Sequence, residues 1–267
     1  MSAPTAVQDA IDQLARDPLP NIVLLKHLLA YPEHVTIHRV SAAEGTALLI
    51  ALDTAASSYD RQAYPAAGIA AFVSSDHPSL TASLMANVPR GVGIVFKLSK
   101  EADLTPIEEQ FPVTRRTAFV SFTSSGNFDP APEVQTTSAP DDDTYRLFET
   151  QGHQHPWLEP LLRDGRAFSC VAEHEGKALA ACFAFENFGP VWEVGGVVTA
   201  PGHRRKGLGR RVVRTALAEL AKRGLAPRYQ VGEHNTASIA LARSVGLVPF
   251  VTITHYAHEP ASARNQS

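Results

Sequence analysis

The stretch APGHRRKGLGRRVVRTAL (residues 200–217) gathers six cations, Arg204, Arg205, Lys206, Arg210, Arg211 and Arg214, around Gly207 and Gly209. It falls where a strand-like run, PVWEVGGVVTAP, hands over to a helix-like one, LGRRVVRTALAELAKRG. The first amides of a helix have no partner inside it and, together with the macrodipole, make an anion site. Glycine lets a bulky anion approach the backbone, and Arg and Lys add charge that pairs with phosphate. The turn therefore suits a pyrophosphate or a similar anion. A plainer reading stands beside this one: glycine is common in turns, and Arg211 and Arg214 also read as solvated helix residues. Two phosphate motifs are absent. GxxxxGK[ST] does not occur, and the third glycine of GxGxxG is replaced here by Val212.

Glu193 stands on the strand before this turn. Strands avoid Glu, and buried charge is costly, so a carboxylate at this place points to proton transfer, which an amine nucleophile requires at neutral pH. The plainer reading is a partly exposed residue paired with an arginine. Alternation puts Trp192 and Val194 on one face and Glu193 with Gly195 on the other. His153 and His155 in GHQHPW read as exposed loop histidines, and no third residue at metal-ligand spacing accompanies them. Asp141, Asp142 and Asp143 read as acids at a helix N-terminus. Cys170 and Cys182 lie in apolar runs without a CxxC and read as small core residues.

The elements around these residues follow from periodicity and turn chemistry. In the second half, DDDTYRLFETQG and HPWLEPLLRDG read as helices, and RAFSCVAEHEGKALAACFAFENF as a hairpin around HEGK. The helix after the basic turn has an apolar face of Leu208, Val212, Val213, Ala216, Leu217 and Leu220 and stops at Gly224. PRYQV is a strand, NTASIALARSVG a helix capped by Asn235 and ended by Gly246, and LVPFVTITHYAH a closing strand. The first half reads as two helices (TAVQDAIDQLARD, LPNIVLLKHLLAYP), then strands at 34–40, 46–53 and 67–73, the helix SLTASLMANV, and strands GIVFKLS and TAFVSFTSS. Residues 125–140 are rich in turn formers and hide a short strand at EVQTT. Both halves read hairpin, strand, helix, strand, helix, strand, with AFVSSDHPSL falling where VVTAPGHRRK falls. A first copy without the basic, glycine-containing turn would have no phosphate site of its own. The expected division is 1–125 and 126–267.

Composition narrows the options. A net charge of −3 argues against general nucleic-acid binding, so the cationic cluster is a local site. Apolar content of 44% and charged content of 19% are those of a globular protein. No stretch reads as a membrane span or a signal peptide, and the expected location is the cytoplasm.

Arg204-Arg205-Lys206-Gly207-Leu208-Gly209 resembles the signature [QR]-x-x-G-x-[GA] of the GNAT superfamily of acyl-coenzyme A-dependent N-acyltransferases. VGEHNTASIALARSVGL resembles the family's second motif, with Asn235, Ser238, Leu241 and Gly246 in register. The likeness covers residues 132–258, and the long N-terminal extension resembles the branch with zwittermicin-resistance-type acetyltransferases. It implies the GNAT fold, an α/β (α+β) architecture with a mixed, mostly antiparallel sheet flanked by helices, as a tandem with a degenerate N-terminal copy. It implies that the amides of Lys206 to Arg210 hold the coenzyme A pyrophosphate, with Arg204 and Arg205 adding charge. Val197, Val198 and Thr199 would run beside the pantetheine arm, and Asn235 and Ser238 would line it. Glu193, eleven residues before Arg204, takes the position of the catalytic base. The family's usual tyrosine acid is Ala242 here; Tyr256, Ser238 or a water would substitute. The expected activity is direct transfer of acetyl from acetyl-coenzyme A to a primary amine of a small molecule, by a metal-free monomer or homodimer. The alternatives are a non-catalytic acyl-coenzyme A sensor and an acetyltransferase acting on a protein amine.

Overall fold

The hairpin expected at HEGK forms because Glu175 and Gly176 both take positive φ, 50° and 71°, the twist that a two-residue turn between paired strands requires. The computed structural model describes residues 3–153 and 155–260. The backbone groups into two units: one runs to Phe119 and takes up the chain again at Val251, and the other is Val120–Phe250.

The first half holds α1 (Ala3–Leu14), α2 (Ile22–Ala30), β1 (Val35–Ala42), β2 (Gly45–Asp53), α3 (Ser58–Ala63), β3 (Ile69–Ser75), α4 (Pro78–Leu84), β4 (Ile94–Leu98), α5 (Leu104–Glu108) and β5 (Thr114–Thr123). The second holds β6 (Val134–Thr137), α6 (Asp142–Glu149), α7 (His155–Arg163), β7 (Ala167–His174), β8 (Lys177–Phe188), β9 (Val191–Thr199), α8 (Leu208–Lys222), β10 (Ala226–Gly232), α9 (Thr236–Ser244) and β11 (Val248–His258). The short helices α3 and α5 were not expected. Six and five residues long, they are too brief to show a helical period; α3 is started by the Ser57 hydroxyl, which accepts from the Asp60 amide.

The expected repeat is present. Each half runs hairpin, strand, helix, parallel strand, helix, strand. β1–β2 and β2–β3 pair antiparallel and β3–β4 parallel; β7–β8 and β8–β9 pair antiparallel and β9–β10 parallel. The two copies differ where the basic turn matters. The β3–β4 ladder holds from Ile69↔Ile94 to Val73↔Leu98, whereas the β9–β10 ladder ends after Ala226↔Val191, Pro227↔Trp192 and Arg228↔Glu193. In the first copy α4 is capped by His77, whose Nδ1 accepts from the Ser79 amide, so the helix start is already occupied.

Most of β11, the closing strand of the second half, belongs to the first unit, and the end of β5 belongs to the second. β11 pairs antiparallel with β4, Thr254 opposite Leu98 through His258 opposite Ile94. The end of β5 lies beside β10, where the Thr123 hydroxyl donates to the Pro227 carbonyl at 2.7 Å.

In the second unit the sheet is covered on both faces. Cys170, Cys182, Ala184, Trp192 and Val194 pack under Val212, Val213, Ala216, Leu217 and Leu220 of α8. Val171, Ala181, Phe183 and Val198 pack under α6 and α7 through Tyr145, Phe148, Leu158 and Leu162. Cys170 and Cys182 face each other across β7 and β8 as free, buried thiols.

Candidate active site

β9 is bulged. Between the pairs Ala181↔Val198 and Phe183↔Gly195, two residues, Gly196 and Val197, stand opposite the single residue Cys182. Gly196 takes φ 60°, and a Cβ there would fall 2.1 Å from the Phe183 ring. Glycine is therefore required on both conformational and steric grounds. A bulge bends its strand and sharpens the local twist. On the other side of β9, pairing with β10 has stopped at Glu193 and Arg228. The bend and the lost ladder open a cleft between the strands. Val194, Gly195, Gly196 and Val197 line one wall, Tyr229 and Gln230 the other, with Asn235 and Ser238 of α9 and Gln151 and His153 before α7 closing it.

The basic turn adjoins this cleft through Val197, a lining residue. Gly209 sits against Val197, Thr199 and Leu241, at distances an added Cβ would turn into ordinary contacts. Gly207 is the N-cap of α8 at φ 79° and contributes no side-chain bond, so the first amides of α8 have no capping partner. Arg205 shares the unusual conformation at φ 64°. The cations divide into two sets. Arg211 pairs with Glu133 at 2.6 Å, and Arg214 with Asp129 at 3.7 Å. Arg204 is exposed, with Nε donating to the Thr199 carbonyl at 3.4 Å. Arg205, Lys206 and Arg210 are exposed and make no ion pair among the described residues. Leu208 is half-buried against the α8 core, Val198 packs under α6 and α7, and Thr199 pairs with Ala180. Asn235 caps α9, its Oδ1 accepting from the Ser238 amide at 3.0 Å.

Glu193 lies where the β9–β10 ladder stops. Its Oε2 accepts from Arg228 Nη1 at 2.5 Å, and its side chain is 15% exposed against 0% for Arg228. The guanidinium also donates to Asn187 Oδ1 at 2.8 Å and Ser121 Oγ at 3.2 Å, while Nη2 has no partner. Burial lowers the Arg228 pKa, and Glu193 opposes that fall. The pairing with an arginine that the sequence allowed is thus present, one residue before Val194 and Tyr229, which line the cleft.

Sequence reasoning passed over several of the lining and supporting groups. Tyr229 is buried, its phenol pKa raised by burial and lowered by a hydrogen bond with Ser238. Arg228 is the same anomaly as Glu193, a charge on a strand, but only the register of β10 on β9 makes it the partner. His153, read as an exposed loop residue, is half-buried with its ring edge-on to Phe183 at 5.0 Å. Burial lowers its pKa, with Glu193 pulling the other way. His155 stacks on Tyr145 at 3.7 Å instead. Tyr256 is not among the cleft-lining residues. It lies on β11 in the first unit, beside a separate hollow with Leu98, Lys100, Glu101, Arg115, Thr252 and Thr254. Ala242 is fully buried in the α8 core. Among the described residues no three His, Cys, Asp or Glu converge, and no helix is long and apolar enough to cross a membrane.

Residues 133–247 match the model of the acetyltransferase (GNAT) family. Solved structures share the fold at low identity. A GCN5-related N-acetyltransferase from Sphaerobacter thermophilus is 14% identical, with 89% of this chain and 84% of that one covered and a TM-score of 0.59. One from Kribbella flavida is 14% identical, with 92% and 98% covered and a TM-score of 0.54. A tandem GNAT protein from the clavulanic acid biosynthesis pathway is 12% identical, with 97% of each chain covered and a TM-score of 0.53. No curated protein sequence matches significantly.

Proposed function

We propose that the protein is an N-acetyltransferase that moves the acetyl group of acetyl-coenzyme A to a primary amine. The observation that carries this reading is the cleft that opens beyond the Glu193–Arg228 pair and adjoins, through Val197, the uncapped start of α8. The amides from Lys206 to Arg210 receive the pyrophosphate, and the exposed Arg205, Lys206 and Arg210 add charge. The backbone of Val197, Val198 and Thr199 follows the pantetheine arm. The bulge at Gly196 and Val197 presents an amide to the thioester carbonyl, where it stabilises the developing oxyanion.

Glu193 accepts the proton of the ammonium through Oε1, the oxygen not bonded to Arg228, directly or across one water. The amine nitrogen then bonds to the carbonyl carbon, the C–S bond breaks, the thiolate leaves with the electron pair, and the nitrogen gives up its second proton to solvent to leave the neutral amide. A thiol loses its proton near pH 8.5, so the thiolate needs little help in leaving and takes its proton from solvent. A binding module without turnover is the second reading, favoured by Arg228 engaging Oε2 of Glu193.

Calorimetry with acetyl-coenzyme A, followed by thiol release in the presence of amines, tests both. Binding that survives Gly207→Glu would overturn the seat at α8. Tight donor binding with no thiol released from any amine would leave the sensor.

A further inference from the structure

The face of the sheet that carries Glu193 also carries an aromatic wall. Phe183 and Phe185 stand two apart on β8 and pair with Gly195 and Glu193, so all point to one side. α7 lays Trp157 over them, edge-on to Phe185 at 5.1 Å and tilted on Phe183 at 5.6 Å. His153 closes the group, 6.4 Å from Trp157 between ring centres. Trp157 is 45% exposed and Phe185 half-buried, so their ring surfaces face outward beside the carboxylate. Contiguous exposed apolar surface rimmed by polar groups is the kind of surface that binds a ligand or partner.

The charges around the wall sort the candidate acceptors. Glu186 is held by Arg166 at 2.7 Å, and Glu159 lies 3.7 Å from His155. Arg228 is buried behind Glu193 and engaged by it. A polycation would need several open carboxylates along its length, and an acidic acceptor would need an open cation; among the described residues that form the wall, Glu193 is the carboxylate and no Lys or Arg is present. What stands there is one carboxylate with an apolar, π-rich surface next to it.

We infer that the acceptor is a small arylalkylamine: its ammonium lies at Glu193 and its apolar body against Trp157 and Phe185. The ammonium gains from the carboxylate and the ring faces together, and the aryl group covers apolar surface otherwise left in water. Burial favours the neutral form of His153 beside the incoming cation, with Glu193 pulling the other way. The inference rests on the acyl-transfer reading of the same cleft and narrows it to a substrate class.

The test is calorimetry on the full chain, saturated with coenzyme A, with phenethylamine, ethylamine and spermidine as probes. Phenethylamine is expected to bind at least about tenfold more tightly than the other two, and Trp157→Ala to remove about tenfold of that affinity while Trp157→Phe keeps most of it. Trp157 is largely exposed, so both variants are expected to fold. Equal or tighter binding of spermidine, no heat from phenethylamine, or an unchanged affinity in Trp157→Ala overturns the inference. A failure of the acyl-transfer reading looks different: acetyl-coenzyme A gives no heat, while the amine selectivity and its loss in Trp157→Ala persist.

Discussion

A fully buried guanidinium needs a counter-charge, and Glu193 supplies it to Arg228 at 2.5 Å. The same carboxylate cannot be removed for catalytic tests without touching stability, because breaking a buried pair leaves an uncompensated charge at a cost of about 3–5 kcal/mol. Glu193→Gln limits that cost, since its amide oxygen still accepts from Arg228. It is expected to lower turnover by roughly 10²- to 10⁴-fold, the range of a lost general base, while donor affinity by calorimetry stays within about twofold. Turnover within threefold of the parent would make Glu193 a structural partner only. Glu193→Ala is expected to lower the urea midpoint further than Glu193→Gln. At this scale the sequence exposed Glu193, because a charge on a central strand is anomalous wherever its strand pairs. It did not expose Arg228 as the partner, because only the register of β9 on β10 makes the two face each other.

The elements that open the cleft depend on two glycines for different reasons, and substitution separates them. At Gly207 nothing lies within 4 Å of an added Cβ, so Gly207→Ala adds only the positive-φ penalty of about 1–2 kcal/mol. At Gly196 that same penalty adds to a Cβ driven into the Phe183 ring, an overpacking cost of about 1–3 kcal/mol. Urea unfolding is expected to rank Gly196→Ala below Gly207→Ala. Calorimetry is expected to show weaker coenzyme A binding in both, through the bulge in one and the helix start in the other. A Gly196→Ala variant as stable as the parent would mean that the bulge is not fixed by the glycine. The long helix α8, the hairpin and the capped α9 were legible because each carries its own period and its own stop. The bulge was not: GG in a strand announces an irregularity, but which residue turns is decided by Phe183 on the neighbouring strand.

At the scale of the whole molecule, the repeat was legible as a shared order of elements, but the exchange of closing strands was not, since a strand's sequence does not name its neighbour. One consequence concerns dissection. A fragment of residues 126–267 lacks Ser121 and Thr123, which bond to Arg228 and Pro227, and leaves the edge of β10 open; it is expected to aggregate and to give no heat with coenzyme A, and a soluble, coenzyme-binding fragment would refute this.

A second consequence concerns pH, because β11 is fastened in the first unit by a buried polar group. His255 Nδ1 lies 2.6 Å from the Tyr64 hydroxyl, with the rings of Tyr59 and Phe119 around it and the Lys97–Asp60 pair, 2.6 Å apart, on β4 and α3. Burial, with Lys97 adding to it, pushes the His255 pKa from 6.5 down to about 3. Between those two values the unfolded chain binds a proton at this residue and the folded chain does not. Stability from His255 is therefore complete above about pH 6.5 and is lost as pH falls towards 3, by up to about 1.4 kcal/mol per unit. Guanidinium unfolding of the full chain at pH 4.5, 5.5, 6.5 and 7.5 is expected to show a steeper acid loss than the same series for His255→Gln, because the carboxylates common to both cancel in the difference. Parallel slopes would mean that His255 protonates as freely in the folded protein as in the unfolded one, and that β11 is not held by a neutral imidazole.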